Sequence, residues 1–369
     1  MASFSDFEEK YKGFQRPRFA LKVDNEEIKM EEFPIIDISA LMSADFGMST
    51  CHFVIAGIFD FANSKFKHDI FETFKPGKVV DLKMGYNDPT NLQGVFKGYI
   101  NSLKFDVNAR GMHAIVECLD AKGALVNNKV WENYGDMGVA DIVTSILNKY
   151  CKNYATVQSV EYDFNKGVSK DDISAEINKN QDYYHFLMCL AKKVRNSFCV
   201  IYDQIYFGPS LAQKKQDPAV ELAWGKSLLS FHAEIHLTNQ IGSVEVNWND
   251  YDTQVTSTSK ANIDGSPLGG SALPDVIKNK TKQINDRNIL NKDQADELAK
   301  SELAASSANL VNCSGSTIGI PDIKAGSKIK ISGMGKGIDG EFFLNEVTHS
   351  INGNGYLTEF KASSSCVAT

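Results

Sequence analysis

Residues 79–86, VVDLKMGY, alternate strictly: Val80, Leu82, Met84 and Tyr86 share one face, with Asp81 and Lys83 opposite. A two-residue period fits a half-buried strand and no helix. The pattern recurs at once. Residues 87–94, NDPTNLQG, collect turn formers. In 95–107 the side chains of Val95, Tyr99, Leu103, Phe105 and Val107 share a parity, and a third run, MHAIVECLD, covers 112–120. Three successive strands with short polar connections predict an antiparallel meander. Closing it into a barrel would remove its exposed edges.

The middle of the chain changes period. In 136–151, Val139, Ile142, Val143, Ile146, Leu147 and Tyr150 form one apolar stripe at helical spacing, with Asp136 as the expected cap. A second helix is predicted over 181–196, with Tyr183, Phe186, Leu187, Leu190, Ala191 and Val194 on one side, followed by a hairpin over 197–209. Alternation then returns. Leu229, Phe231, Ala233, Ile235 and Leu237 face one way in 228–237, and 241–250 reads as another strand. Residues 252–275 are rich in Ser, Thr, Gly and Pro and are expected to form a mobile loop or linker. A helix capped by Asn291 is expected at about 292–310, and strands with glycine turns from Cys313 to Ala362.

One of those turns carries a motif. From Gly335, the stretch 333-GMGKGIDG-340 fits G-x-G-x-x-G, the pattern that cradles a dinucleotide pyrophosphate. That chemistry needs a strand before the glycines and a helix after them. Residues 328–332, KIKIS, supply the strand, but 341–351, EFFLNEVTHSI, show two parities and no 3.6-residue period. The glycines therefore serve a hairpin-type turn, where positive φ is needed.

The chain has 369 residues, 43% of them apolar and 23% charged, which suits two or three soluble domains. Its net charge of −7 argues against a general nucleic-acid coat. Seven cysteines, an odd number without a C-x-x-C pair, read as buried thiols of a reducing compartment. The start, MASFSDFEEKYKG, has neither the basic end nor the apolar centre of a secretory signal. The most apolar window, 48–62, is broken by His52 and Asp60 and falls short of the roughly 18 residues of a membrane span. Synthesis and folding in the cytoplasm are expected.

Candidate catalytic and ligand residues each have a plainer reading. His232 and His236 are four apart, which on a helix would offer two ligands to one metal. Alternation makes the segment a strand, where four residues span about 13 Å. His349 sits at a strand end and reads as a hydrogen-bonded structural residue rather than a general base. His185 lies on the polar side of its helix. No G-x-S-x-G, Cys/His signature or G-x-x-x-x-G-K-[ST] occurs; near Gly335 and Lys336, Lys330 and Gly337 stand where that phosphate loop needs Gly and Ser or Thr. The carboxylate pairs Glu8/Glu9, Glu26/Glu27, Glu31/Glu32 and Asp171/Asp172 read as solvated charge. The expectation is therefore no catalytic, cofactor-binding or metal residue, no cofactor, and no enzyme.

Several segments together resemble a known family. They are 85-GY-86 with 95-VFKGYI-100, Asp120 with 138-GVADIVTSIL-147, 181-QDYYHFLMCLAKK-193 with 204-QIYFG-208, and 340-GEFFLNEVTHSINGNGYLTEF-360. The chain resembles the hub proteins of contractile tails: the late control protein D family of phages, tailocin counterparts, and the N-terminal half of type VI secretion spike proteins. The resemblance implies a mainly β fold with α/β insertions, in which two tube-like antiparallel β-barrel domains join in a ring-shaped homotrimer. The first barrel would take residues 1–119 and an α/β insertion 120–196. The second, discontinuous barrel would take 197–250 and 312–363, and a loop and helix insertion 251–311. Such a trimer presents six near-equivalent surfaces to a hexameric tail tube and three to a trimeric spike.

The implied partners are the chain itself, a trimeric spike protein, the tail tube protein and other baseplate proteins. Nucleic acid or effector would pass only as transient cargo, and no membrane is entered. The chain closes at 361-KASSSCVAT-369, directly after its last expected strand, so the spike should be a separate chain. No lysozyme-like insertion is recognisable. Acidic side chains lining the bore would keep an acidic payload from sticking; a basic or apolar bore would refute this. The competing readings are a β-barrel hydrolase, which needs a pocket of converging polar groups, and a carbohydrate- or oligonucleotide-binding barrel, which needs exposed aromatics among basic residues. The 13 tyrosines and 22 phenylalanines fall mostly at core-type positions.

Overall fold

The structure, a computed structural model, describes residues 3–108, 111–130, 134, 137–161, 181–193, 196–249, 256–263, 268, 274–285, 289 and 291–367. Helix α1 (Phe4–Lys10) begins behind Ser3, whose hydroxyl accepts from the Asp6 N–H while Asp6 accepts from the Ser3 N–H. There follow β1 (Pro17–Val23), β2 (Glu26–Glu27), β3 (Ile35–Ser43), β4 (Thr50–Ile55), the small pair β5 (Phe59–Asp60) and β6 (Lys65–Phe66), and helix α2 (Ile70–Thr73). Then come β7 (Val79–Tyr86), β8 (Gln93–Asn108) and β9 (Gly111–Leu119). These last three are the expected antiparallel meander. Val80, Leu82, Met84 and Tyr86 are buried and Lys83 is exposed, as the alternation requires. At Gly98 of β8 a Cβ would lie 2.1 Å from the Leu119 carbonyl oxygen, so the strands approach as closely as only glycine allows.

The helical stripe becomes α3 (Val139–Tyr150), with Val139, Ile142, Val143, Ile146 and Leu147 buried. Its N-cap is Gly138, with no side-chain cap bond; the expected cap, Asp136, lies outside the described residues. Strand β10 (Thr156–Val160), helix α4 (Tyr183–Lys193) and the hairpin β11 (Asn196–Ile201) and β12 (Gln204–Pro209) complete this part. Val194 of the expected stripe falls outside the described residues. The buried faces of α3 and α4 pack on Phe198, Val200, Ile205 and Phe207 of the hairpin.

Next are β13 (Val220–Ala223), β14 (Leu228–Ile235), β15 (Ser243–Asn249), β16 (Thr256–Asn262), helix α5 (Asp275–Lys278), β17 (Thr281–Asn285) and helix α6 (Lys292–Ser307). The loop expected over 252–275 is corrected at its centre, because β16 pairs antiparallel with β15. Side chains supply the reason. Thr258 donates to Asn247 at 2.7 Å and Lys260 to Glu245 at 2.8 Å, cross-strand bonds that a purely apolar pattern search misses. Residues 251–255, 264–267 and 269–273 lie outside the described set. Asn291 caps α6 as expected, accepting from the Gln294 N–H at 2.9 Å. Ala295, Leu298 and Ala299 of that helix cover Val244, Val246 and Trp248 of the small sheet.

The chain then returns to the large sheet with β18 (Val311–Ile318), β19 (Lys328–Ser332), β20 (Gly340–Asn352) and β21 (Gly355–Ser364). Sixteen strands form that sheet, in the order β14-β18-β21-β20-β3-β4-β9-β8-β7-β1-β2, with β10 to β13 and β19 branching from it. The seam between the early and late strands is β20 on β3, where Val347, His349 and Ile351 stand opposite Met42, Ala40 and Ile38. Two closed barrels were expected, and the hydrogen-bonded path contains none. It runs from one end to the other without returning. The burial pattern explains this: Leu344, Val347 and His349 are buried beside Ile38, Ala40 and Met42, so side-by-side pairing creates one core that two separate barrels would divide. That core draws on residues from Phe7 to Cys118 and from Val220 to Ala362.

Candidate functional site

The glycine motif lies between β19 and β20, which pair antiparallel. A strand follows it, as read from the sequence, and no helix. Gly333, Gly335 and Gly337 all have positive φ, at 83°, 99° and 90°. Three N–H groups, of Gly333, Met334 and Gly335, converge on the Asp339 carboxylate at 3.2, 2.7 and 3.1 Å. Such a backbone concavity is what an anion would use. Here the turn's own carboxylate fills it and takes up all three of these donors.

His232 and Glu234 lie on the exposed polar side of β14, and His236 follows directly after its last residue. Both imidazoles turn toward the carboxylate between them, at 3.1 Å from His232 and 2.7 Å from His236. Those two bonds hold the Glu234 carboxyl below its usual range. No group of three or more potential ligands among the described residues could hold a metal. His185 is exposed at the start of α4. Its N–H and Nδ1 approach Asp182 at 2.9 and 2.7 Å, so the pair caps the helix. The acidic pairs at 8/9, 26/27 and 31/32 are exposed, and 171/172 lies outside the described residues.

His349 is fully buried. Its Nε2 donates to the Ile323 carbonyl at 2.9 Å, so Nδ1 is the acceptor for the hydroxyls of Thr358 and Tyr356, each at 3.0 Å. Burial pushes its pKa down to about 4. A neutral, enclosed imidazole with both nitrogens occupied by the protein is a structural group, as expected. It belongs to a polar seam that runs from the core to the surface. Tyr86 lies 5.4 Å from the Tyr356 ring and 5.5 Å from Tyr11, and Tyr11 and Lys10 both donate to Asp322, at 2.5 and 2.7 Å.

One buried pair escaped the sequence reading. Asp120 and Lys122 are each about 1% exposed or less. Asp120 accepts from the N–H groups of Ser49 and Lys122, at 2.6 and 2.8 Å. The Lys122 ammonium stands 3.9 Å from that carboxylate and donates to the carbonyls of Gly47, Phe46 and Asp45. Burial raises the Asp120 carboxyl and Lys122 opposes the shift. The pair fastens the β3–β4 connection to the start of the helical part. The apolar neighbours in 120-DAKGAL-125 were the available signal. The cysteines are all free. Five are buried, Cys189 is half-buried and Cys366 is exposed.

Two open grooves flank the ends of the large sheet. One, of about 540 Å³, runs past Phe231, His232, Glu346, Glu359 and Lys361. The other, of about 640 Å³, lies between Pro17–Leu21 and Glu27–Glu31. In the first, Ser230 bonds Ser316 at 2.6 Å while His232 bonds Glu234, so hydroxyl and imidazole are not paired with each other. No helix among the described residues is long and apolar enough to cross a membrane.

The architecture is that of tail proteins. A tail protein of Neisseria meningitidis MC58 superposes with a TM-score of 0.65 at 14% identity, covering 95% of this chain and 97% of its own. The 43 kDa tail protein of a Shewanella oneidensis prophage gives 0.65 at 15% identity, over 95% and 98%. A chain of the half-lidded Francisella PdpA–VgrG complex gives 0.52 at 8% identity, covering 97% of this chain and 60% of that one. At such identities the likeness is one of fold. Of the fold implied by the resemblance to contractile-tail hub and secretion-spike proteins, the mainly β character with few helices is observed and the two closed barrels are not. The chain belongs to the family described as the Alg8 N-terminal domain, whose model matches residues 15–353. No curated protein matches it.

Proposed function

We propose that this chain is the structural baseplate hub of a contractile tail or contractile injection system. It acts as a homotrimeric adaptor between the hexameric tail tube and a separate trimeric spike. The observation that carries this is end-to-end agreement with tail proteins: 95% of this chain overlies 97% of one and 98% of another. The candidate residues are consistent with it, because the anion-binding turn, the histidines and the buried ion pair are each taken up by the fold. Made in the bacterial cytoplasm, the chain would be built into the virion tail or injection particle. The division into residues 1–119, 120–196, 197–250 with 312–363, and 251–311 belongs to the same proposal. On this reading the two halves of the fused sheet are the paired tube-facing parts. Native mass spectrometry of the full chain tests it: a trimer, or a trimer formed on adding a trimeric spike protein of the same source, is expected. A chain that stays monomeric in both conditions and hydrolyses a glycan or ester would replace this reading with the hydrolase one.

A further inference from the structure

The small sheet, in the order β16-β15-β17, ends on one side in a strand with a single neighbour. Among the described residues β16 is in ladder pairing with β15 alone, over all seven positions from Thr256 to Asn262 and with no shift of register. The direction of its unused backbone groups follows from one bond. The Ile263 N–H donates to the Gly242 carbonyl at 3.0 Å. By the alternation of an antiparallel ladder, Ser257, Ser259 and Ala261 then bond toward β15. The N–H and C=O groups of Thr258, Lys260 and Asn262 face the open side, and none of them has a hydrogen-bond partner among the described residues. Helix α6 overhangs this edge. Its buried Ala295, Leu298 and Ala299 cover the sheet, while the adjoining Lys300, Leu303, Ala304 and Ser307 form, with Ala261 and Asn262 of the strand, a groove of about 540 Å³.

We propose that β16 and α6 together form a docking groove for an extended segment of another protein, taken up as an added strand of the small sheet. Three observations select this occupant. The first is the kind of group left open. These are peptide groups at strand spacing, and their complement is a second extended backbone. The second is the lack of a guard. Exposed edges are commonly blunted by a proline, a bulge or an outward lysine. Strand β16 has no proline and no bulge, and its one lysine is drawn back over the sheet, where Lys260 donates to Glu245 at 2.8 Å. The third is an unmet hydroxyl. Ser259 lies on the same side of the strand as Ala261, is 4% exposed, and has no partner for its Oγ among the described residues. Burying a hydroxyl without a partner is costly, and a segment lying in the groove supplies one.

The lining also sets the sequence that fits. Ala261, Ala304 and Ser307 are small, so side chains turned toward the helix are of valine or isoleucine size. The alternate ones stand beside Thr258 and Lys260 and are polar. A second copy of β16 fits poorly, because two overhanging helices would meet above the same junction.

The test uses the full chain and a synthetic peptide of about nine residues, a typical strand length, that alternates threonine and valine between terminal lysines. Binding is read by fluorescence anisotropy, and its place by hydrogen exchange resolved residue by residue. Exchange at Thr258, Lys260 and Asn262 should slow when the peptide is added, and a version with proline in place of the central valines should have no effect. Lys260→Pro removes an N–H unused within the chain, and Ala304→Phe fills the groove. Each should weaken binding by about tenfold or more while leaving the thermal melt near that of the parent. Binding that both variants retain, or a peptide that leaves the three amides unchanged, overturns the site. So does a parent in which the three are protected before any peptide is added, since the edge is then covered by the chain or its copies. None of these results touches the hub reading, which the mass of the assembly decides.

Discussion

His349 has its ring held neutral by its surroundings, and that has a measurable cost in acid. Its folded pKa of about 4 lies below the ordinary histidine value of 6.5. Between those values the unfolded chain binds the proton and the folded chain does not, so stability falls as pH drops from 6.5 toward 4. Urea titrations at pH 7 and pH 5 should differ by about 2 kcal/mol more in the parent than in His349→Gln. Lys122 behaves differently, because its partner cannot leave the core. Lys122→Met strands the Asp120 carboxylate and should cost about 3–5 kcal/mol, most of it recovered by adding Asp120→Leu. If the single substitution melts like the parent, the buried pair is not holding the β3–β4 connection. Asp339→Ala removes the acceptor of three N–H groups and should destabilise by about 1–2 kcal/mol.

Among the elements, the close crossing at Gly98 is the most exacting. Gly98→Ala forces a Cβ against the Leu119 carbonyl and should lower stability by about 1–3 kcal/mol, read as a fall in melting temperature. Gly335→Ala, by contrast, meets nothing within 4 Å and is strained only through its φ of 99°. Elements like these differ in how far a linear sequence can announce them. Strands β7 and β14 were legible because one side of each faces the core, and α3 because its stripe is unbroken. Strands β16 and β17 were not, since their pairing is carried by Thr, Asn, Lys and Gln side chains that resemble loop composition. The cap of α3 was misplaced because an acidic residue two positions early carries the same signal as a true cap. Asp120 and Lys122 gave no local sign of their meeting with Ser49 and Gly47, since proximity across the fold is not written in spacing. The glycine loop was legible as a turn; that its own aspartate fills the concavity was not.

For the whole molecule, the seam of β20 on β3 has a consequence of its own. Strand β3 spans Ile35–Ser43, whereas its partner spans Gly340–Asn352, so some three hundred residues must be synthesised in between. While the ribosome is still working, the early strands carry an unclosed flank and a core lacking its later half. A nascent chain halted after Ser332 should therefore be captured by chaperones or precipitate, whereas the full chain should stay in solution. Completion of translation thus decides when the fold can close.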